Sequence, residues 1–135
     1  MLSKSVFDLL EPQLAEIVKA RFGEPTATQE KGIPAILSGK NILLMAPTGT
    51  GKTESVLIPI FNFWLKKKPQ PISILYITPL KALNRDMLDR ISWWAQKLGF
   101  GVSVRHGDTT QRERKLQSEH PDDLFITTPE QIQAM

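Results

Sequence analysis

The chain of 135 residues has no cysteine, which excludes disulfides, thiolate metal sites and a cysteine nucleophile. Its two histidines, His106 and His120, are too few for a histidine-rich metal centre, so any metal would arrive with a ligand. No apolar run approaches the roughly 18 residues that a membrane-spanning helix needs, so no membrane partner is expected. The N-terminus lacks a basic segment followed by an apolar core and a small-residue cleavage site, and a cytoplasmic location is the default expectation. Internal repeats and low-complexity segments are also missing. What is present belongs to the soluble globular class, with 41% apolar and 23% charged residues. The length suits one domain, able to bury roughly two-thirds of the surface of its unfolded chain. A net charge of +3 tolerates an anionic partner such as nucleic acid without selecting one.

Along the chain, Ser5 to Gly23 reads as a short helical turn followed by a helix that Pro12 opens, with Leu14, Ile17 and Val18 on one buried face. Gly23 and Pro25 stop it. Thr28 is expected to cap a further helix through Ile33 and Leu37, closed by Gly39, with a kink or break at Pro34. Asn41 to Ala46 is a short apolar run between turn residues, which suits a strand covered on both faces of a parallel sheet. After a glycine-rich loop, Val56, Ile60 and Phe63 or Trp64 recur at helical spacing until Lys66-Lys67-Lys68 and Pro69. The lysine run is read as a solvated last turn favoured by the helix dipole.

Ile72 to Thr78 is a second buried-type strand, and a long helix is expected after Pro79 with the stripe Leu83, Met87, Ile91, Trp94 and Leu98. Val102 to Arg105 form a third strand. Thr110 and Glu113 open a polar helix as a capping box, Leu124 to Thr127 form a fourth strand, and Thr128-Pro129-Glu130-Gln131 starts a last helix with Gln131 closing its box. Strands alternating with helices predict an α/β fold: an open, mostly parallel sheet with helices on both faces. Ligands collect at the carboxyl ends of such strands, where Ala46, Thr78, His106 and Thr127 fall.

The loop Ala46-Pro47-Thr48-Gly49-Thr50-Gly51-Lys52-Thr53 fits the Walker A pattern, with alanine in place of the first glycine. So relaxed a match arises by chance in roughly one chain per hundred of this size, so its context must decide. A buried-type strand enters the loop and an amphipathic helix leaves it, as phosphate binding requires. Gly49 and Gly51 let backbone N–H groups turn inward at the helix N-terminus, and phosphate is the natural guest. Thr48 and Thr50 complete the loop, Lys52 would reach the β- and γ-phosphates of ATP, and the Thr53 hydroxyl would ligate Mg²⁺.

Four further segments flank the loop: Pro25-Thr26-Ala27-Thr28-Gln29, Thr78 to Asp86, His106-Gly107-Asp108-Thr109, and Thr127-Thr128-Pro129-Glu130. In this order they resemble the first RecA-like domain of superfamily two helicases, in particular the large helicase-related (Lhr) family, over nearly the whole chain. The resemblance implies that residues 1–24 form an N-terminal helical segment and 25–135 an incomplete RecA-like P-loop NTPase domain that ends before motif II. It also implies that Gln29 reads adenine through its amide, with Phe22 either stacking on the base or anchoring its helix. Pro79, Leu80, Lys81 and Arg85 correspond to motif Ia, and Thr127, Thr128 and Pro129 to motif Ib. Both hold the backbone of single-stranded DNA or RNA, and His106 and Gly107 either touch nucleic acid or order a turn. Trp93 and Trp94 are assigned to the fold, not the site.

In that family hydrolysis needs an Asp-Glu pair after a strand. Asp122-Asp123 precedes its strand and stands at the wrong end. The expectation is therefore an ATP-dependent helicase of 3′-to-5′ polarity as parent protein, whose remaining domains are the partners of this chain. The chain alone is expected to bind nucleotide weakly and not to turn it over. Two other readings stay open: a nucleotide-binding switch or kinase built on the same loop, and a binding module without catalysis.

Overall fold

The computed structural model describes residues 5–47 and 51–134, in two compact units, Met1–Lys68 and Pro69–Met135. Among the described residues no helix is long and apolar enough to cross a membrane.

The first unit is helical. A 3₁₀ turn, Val6–Leu9, is capped by Ser5, whose hydroxyl accepts the Phe7 N–H at 3.1 Å while Asp8 accepts the Ser5 N–H at 2.9 Å. Helix α1 (Pro12–Phe22) buries Leu14 and Val18 and stops at Gly23, whose φ of 71° is cheap only without a Cβ. Helix α2 (Ala27–Leu37) starts two residues earlier than expected. Thr26, not Thr28, caps it: the Gln29 N–H donates to Thr26 Oγ1 at 3.2 Å and the Thr26 N–H to Gln29 Oε1 at 3.0 Å. It also runs through Pro34 without breaking. Proline removes one ladder bond, and only three residues separate it from the cap Ser38, whose N–H is shared among the carbonyls of the last turn.

Helix α3 (Lys52–Lys67) packs on α2 where Gly32 meets Ser55, so closely that a Cβ on Gly32 would lie 3.3 Å from that of Ser55. Its buried face is Leu57, Ile58, Phe61 and Trp64: of the expected Val56, Ile60 and Phe63 or Trp64, only Trp64 is buried, and the others stay partly exposed. The polar Asn62 is buried on this face because its Oδ1 receives the Glu11 N–H at 2.7 Å, tying the start of α1 to α3.

The strand expected over Asn41 to Ala46 does not form. A strand exists only through ladder partners, and among the described residues the three strands that pair all belong to the second unit. Leu43 and Met45 are instead 86% and 83% exposed, while Leu44 turns toward Gly32.

The second unit is a parallel sheet with helices. Strands β1 (Ile74–Ile77), β2 (Val102–Arg105) and β3 (Leu124–Thr127) pair in the order β1-β3-β2, with Ile77 and Arg105 both opposite Thr127. All four residues of the central β3 are buried, as a strand paired on both sides and covered on both faces requires. Edge strand β1 leaves Leu75 and Ile77 half exposed, so its buried-type sequence is only partly covered. Asp122 and Asp123 fasten the amino ends of the strands. Asp123 Oδ2 accepts the Gly101 N–H at 3.1 Å, its carbonyl accepts the Ser73 and Ile74 N–H groups, and Asp122 accepts the Ser103 hydroxyl.

Pro79 does not open the long helix. A 3₁₀ turn, Leu80–Ala82, comes first, and α4 (Arg85–Leu98) starts anew where Asn84 Oδ1 receives the Met87 N–H at 2.9 Å. Its buried stripe is Met87, Ile91, Trp94 and Leu98, as expected, with Leu83 left outside the helix. Trp93 packs edge-on to Trp94, ring centroids 4.9 Å apart, under the Lys97 ammonium. Helix α5 (Gln111–Glu119) is capped by Thr110 and buries no residue fully, and α6 (Pro129–Ala134) follows β3.

Candidate functional site

Thr48, Gly49 and Thr50 lie outside the described residues, so the loop is described from its two ends. At the far end Gly51 holds φ 75° and ψ 26°, the left-handed conformation, and α3 starts at the next residue with no side chain capping it. Helix α2, by contrast, has its Thr26 cap. Gly51 has no side chain, so α3 receives no N-cap hydrogen bond from it. Lys52 is exposed and its Nζ donates to the Ala46 carbonyl at 3.2 Å, bridging the two ends of the loop.

Gln29 is 2% exposed and stands against Gly51: a Cβ on that glycine would lie 2.6 Å from Gln29 Nε2. The amide is thus divided, its oxygen bound to the Thr26 N–H and its nitrogen directed at the loop. Phe22 is partly buried, with the Arg21 guanidinium 5.8 Å from its ring centroid.

In the second unit the three strands end in register, so the segments after them start from one edge. Thr78 donates its N–H to the Thr127 carbonyl at 3.0 Å, and the Thr127 hydroxyl donates to the Arg105 carbonyl at 2.8 Å. Thr127 is wholly buried and Thr128 nearly so. The Thr127 side chain is therefore committed to joining strand ends. Pro79, Leu80, Lys81, Arg85, Gly107 and Pro129 are exposed. The loop after β2 is a closed turn: the His106 N–H donates to Thr109 Oγ1 at 2.8 Å, and His106 Nδ1 accepts the Asp108 N–H at 3.0 Å. Ordering a turn is thus what the His106 ring does here. Ala46, the fourth expected strand end, belongs to the first unit.

Two arginines, Arg105 and Arg114, hold this edge. Arg114 donates from Nε to the Thr109 carbonyl at 3.1 Å, from one terminal nitrogen to the His106 carbonyl at 2.9 Å, and from the other to Gln131 Oε1 at 2.9 Å. Gln131 consequently does not close a capping box on Thr128. Arg105 donates to Gln117 Oε1 at 2.9 Å and to the Arg114 carbonyl at 3.2 Å, with its guanidinium 5.3 Å from the Phe125 ring centroid. Burial lowers the Arg105 pKa below the usual arginine value, and the neighbouring Arg114 charge lowers it further. No sequence signal marked Arg114, because its partners converge from three places in the chain. Thr26, by contrast, carries a sequence signal that points away from the expected Thr28 cap, since Thr26-Ala27-Thr28-Gln29 is a capping-box pattern.

A helix opened by a left-handed glycine and a parallel sheet with loops at its carboxyl edge are the parts of a RecA-like α/β fold. The family model for DEAD/DEAH box helicases matches residues 26–135, and the chain belongs to that family. It is 33% identical over 146 residues to the ATP-dependent helicase Lhr-Core of Methanocaldococcus jannaschii, a match covering 96% of this chain and 17% of that protein. It is 34% identical to the ATP-dependent RNA helicase dbp9 of Aspergillus terreus, covering 91% of this chain and 21% of that one. Among solved structures, the Mycobacterium smegmatis helicase Lhr bound to ssDNA and AMP-PNP matches with a TM-score of 0.85 at 29% identity, over 96% of this chain and 18% of the other. The chain thus spans only about a fifth or less of these relatives' length.

Proposed function

We propose that this chain is the nucleotide-gripping part of an ATP-dependent helicase, with residues 25–135 forming the first part of its RecA-like ATP-binding domain. The observation that carries the proposal is the opening of α3: left-handed Gly51 at the N-cap, and Lys52 and Thr53 in the first turn. The first-turn N–H groups and the positive end of the helix dipole suit an anion. The ATP phosphates would lie in the loop Thr48 to Thr53, with Lys52 at the β- and γ-phosphates. The Thr53 hydroxyl suits Mg²⁺, being the hard oxygen donor such loops use. Gln29, its Nε2 turned to the loop, would recognise adenine mainly as a donor, since its oxygen already serves Thr26.

Single-stranded nucleic acid would run over the carboxyl edge of the sheet. Exposed Lys81 and Arg85 offer charge to its phosphates, and Pro79, Leu80, His106, Gly107, Thr128 and Pro129 offer backbone and shape. The role of Thr127 narrows to holding strand ends together. Support for a nucleic-acid partner comes from a similar helicase, solved with ssDNA.

Hydrolysis would need the acidic pair and further domains of the parent protein, so the chain alone should bind ATP weakly without turnover. Equilibrium binding of a fluorescent ATP analogue, lost in Lys52→Ala, is the direct test. A steady-state ATPase rate well above background that Lys52→Ala abolishes would refute the claim of no turnover. For the strand, Lys81→Ala with Arg85→Ala should weaken salt-sensitive oligonucleotide binding, and unchanged titrations would remove motif Ia from the site.

A further inference from the structure

We propose that Arg114 is a positioning residue that locks the turn His106–Thr109 and helix α6 into one rigid platform at the carboxyl edge of the sheet. The inference rests on the strand-binding reading above for its functional meaning, but not for its geometry. The planar guanidinium sends its three nitrogens to three acceptors: two carbonyls at the two ends of the turn, and the Gln131 side chain on α6. The turn is also closed internally, by the His106 N–H on Thr109 Oγ1 and the Thr109 N–H on the His106 carbonyl. Arg114 therefore adds two further bonds to a turn closed on itself and ties its opening to α6. From the other side Arg105 holds the Arg114 carbonyl, so the start of the clamp is fixed as well as its tip.

The chemistry of the partners separates this role from an ordinary ion pair. Among the described residues Arg114 forms no salt bridge, and each of its three acceptors is a neutral oxygen. What selects arginine here is the fork, not the charge. Lysine offers one compact ammonium, which cannot reach three divergent acceptors from one plane. The competing role is direct phosphate contact, because only three of the five guanidinium N–H donors are accounted for.

Titration of labelled oligothymidylate with the full chain at several salt concentrations, combined with amide hydrogen exchange, tests the clamp. Arg114→Lys and Arg114→Met should both weaken binding by about tenfold, since a loosened contact must be ordered again on binding. The slope of log affinity against log salt should stay at the parent value, whereas loss of a direct phosphate contact would lower it by about 0.7. Gln131→Ala, on α6, should speed exchange of the His106 and Thr109 amides in the turn. Full affinity in Arg114→Lys, a slope reduced in Arg114→Met, or turn amides indifferent to Gln131→Ala would each overturn the proposal. If the unsubstituted chain does not bind the oligonucleotide, the strand-binding reading falls, while the exchange measurement still decides the clamp.

Discussion

Gly51→Ala puts the contact between the phosphate loop and α2 to its sharpest test. The substitution acts twice. With φ at 75°, an alanine would occupy the left-handed region, which costs about 1–2 kcal/mol for a residue with a Cβ. The new Cβ would also stand 2.6 Å from Gln29 Nε2, closer than real contacts allow. A free glutamine tip would swing away, but this one is 2% exposed and its oxygen caps the Thr26 N–H at 3.0 Å. Displacing it breaks one half of a capping box, at about 1 kcal/mol. The sum is about 2–3 kcal/mol, a large part of the roughly 5–15 kcal/mol that holds a domain together.

Gln29→Ala removes the obstacle and the cap together, and alone should cost about 1 kcal/mol. In the double variant the steric contribution vanishes and only the backbone cost adds, so the two effects should fall short of additivity by about 1 kcal/mol. Native-state hydrogen exchange of the α2 and α3 amides, referenced to the unsubstituted chain, measures all three variants. Strict additivity would show that Gln29 does not lean on Gly51, and a Gly51→Ala loss below about 0.5 kcal/mol would refute the strain itself.

Other perturbations probe the second unit. Trp94→Ala empties a site that is 1% exposed and should cost about 3–5 kcal/mol in urea unfolding. Trp93→Ala, which loses an edge contact on a half-covered ring, should cost no more than about 1.5 kcal/mol by the same measurement. Asp123→Ala leaves the Gly101 N–H without its acceptor and should destabilise by about 1–3 kcal/mol, with faster exchange at the amino ends of the strands. Thr127→Val keeps the shape but removes the hydroxyl bond to the Arg105 carbonyl; the expected loss of about 1 kcal/mol should be accompanied by faster exchange in β2.

Much of the architecture was written in local pattern. The helix α1 with its glycine stop, the α4 stripe Met87, Ile91, Trp94 and Leu98, and the strands β2 and β3 appear where periodicity put them. Caps were legible in kind but less so in place. Thr26 and Thr28 both suit the role, and the reciprocal bond with Gln29 decides between them. Asn84 could have been read as a new helix start, since an asparagine before a periodic segment is a capping signal. The apolar run Asn41 to Ala46 misled, because apolar composition says that a segment favours cover and a neighbour, not that either is present. The α3 face was rotated for a similar reason: Asn62 and Ser55 look polar by type, yet a hydrogen bond from Glu11 and the close approach of Gly32 place them inside.

By itself, then, the sequence determined the α/β class, the phosphate-type loop ending in Gly51-Lys52-Thr53 and the order of the flanking segments, since each depends on residue type and spacing along the chain. Only the tertiary structure decided that Gln29 leans on Gly51, that Thr127 is spent on joining strands, and that Arg114 ties the turn at His106 to Gln131. These are bonds between groups far apart in the chain or in different elements, and their geometry exists only once the backbone has brought them together.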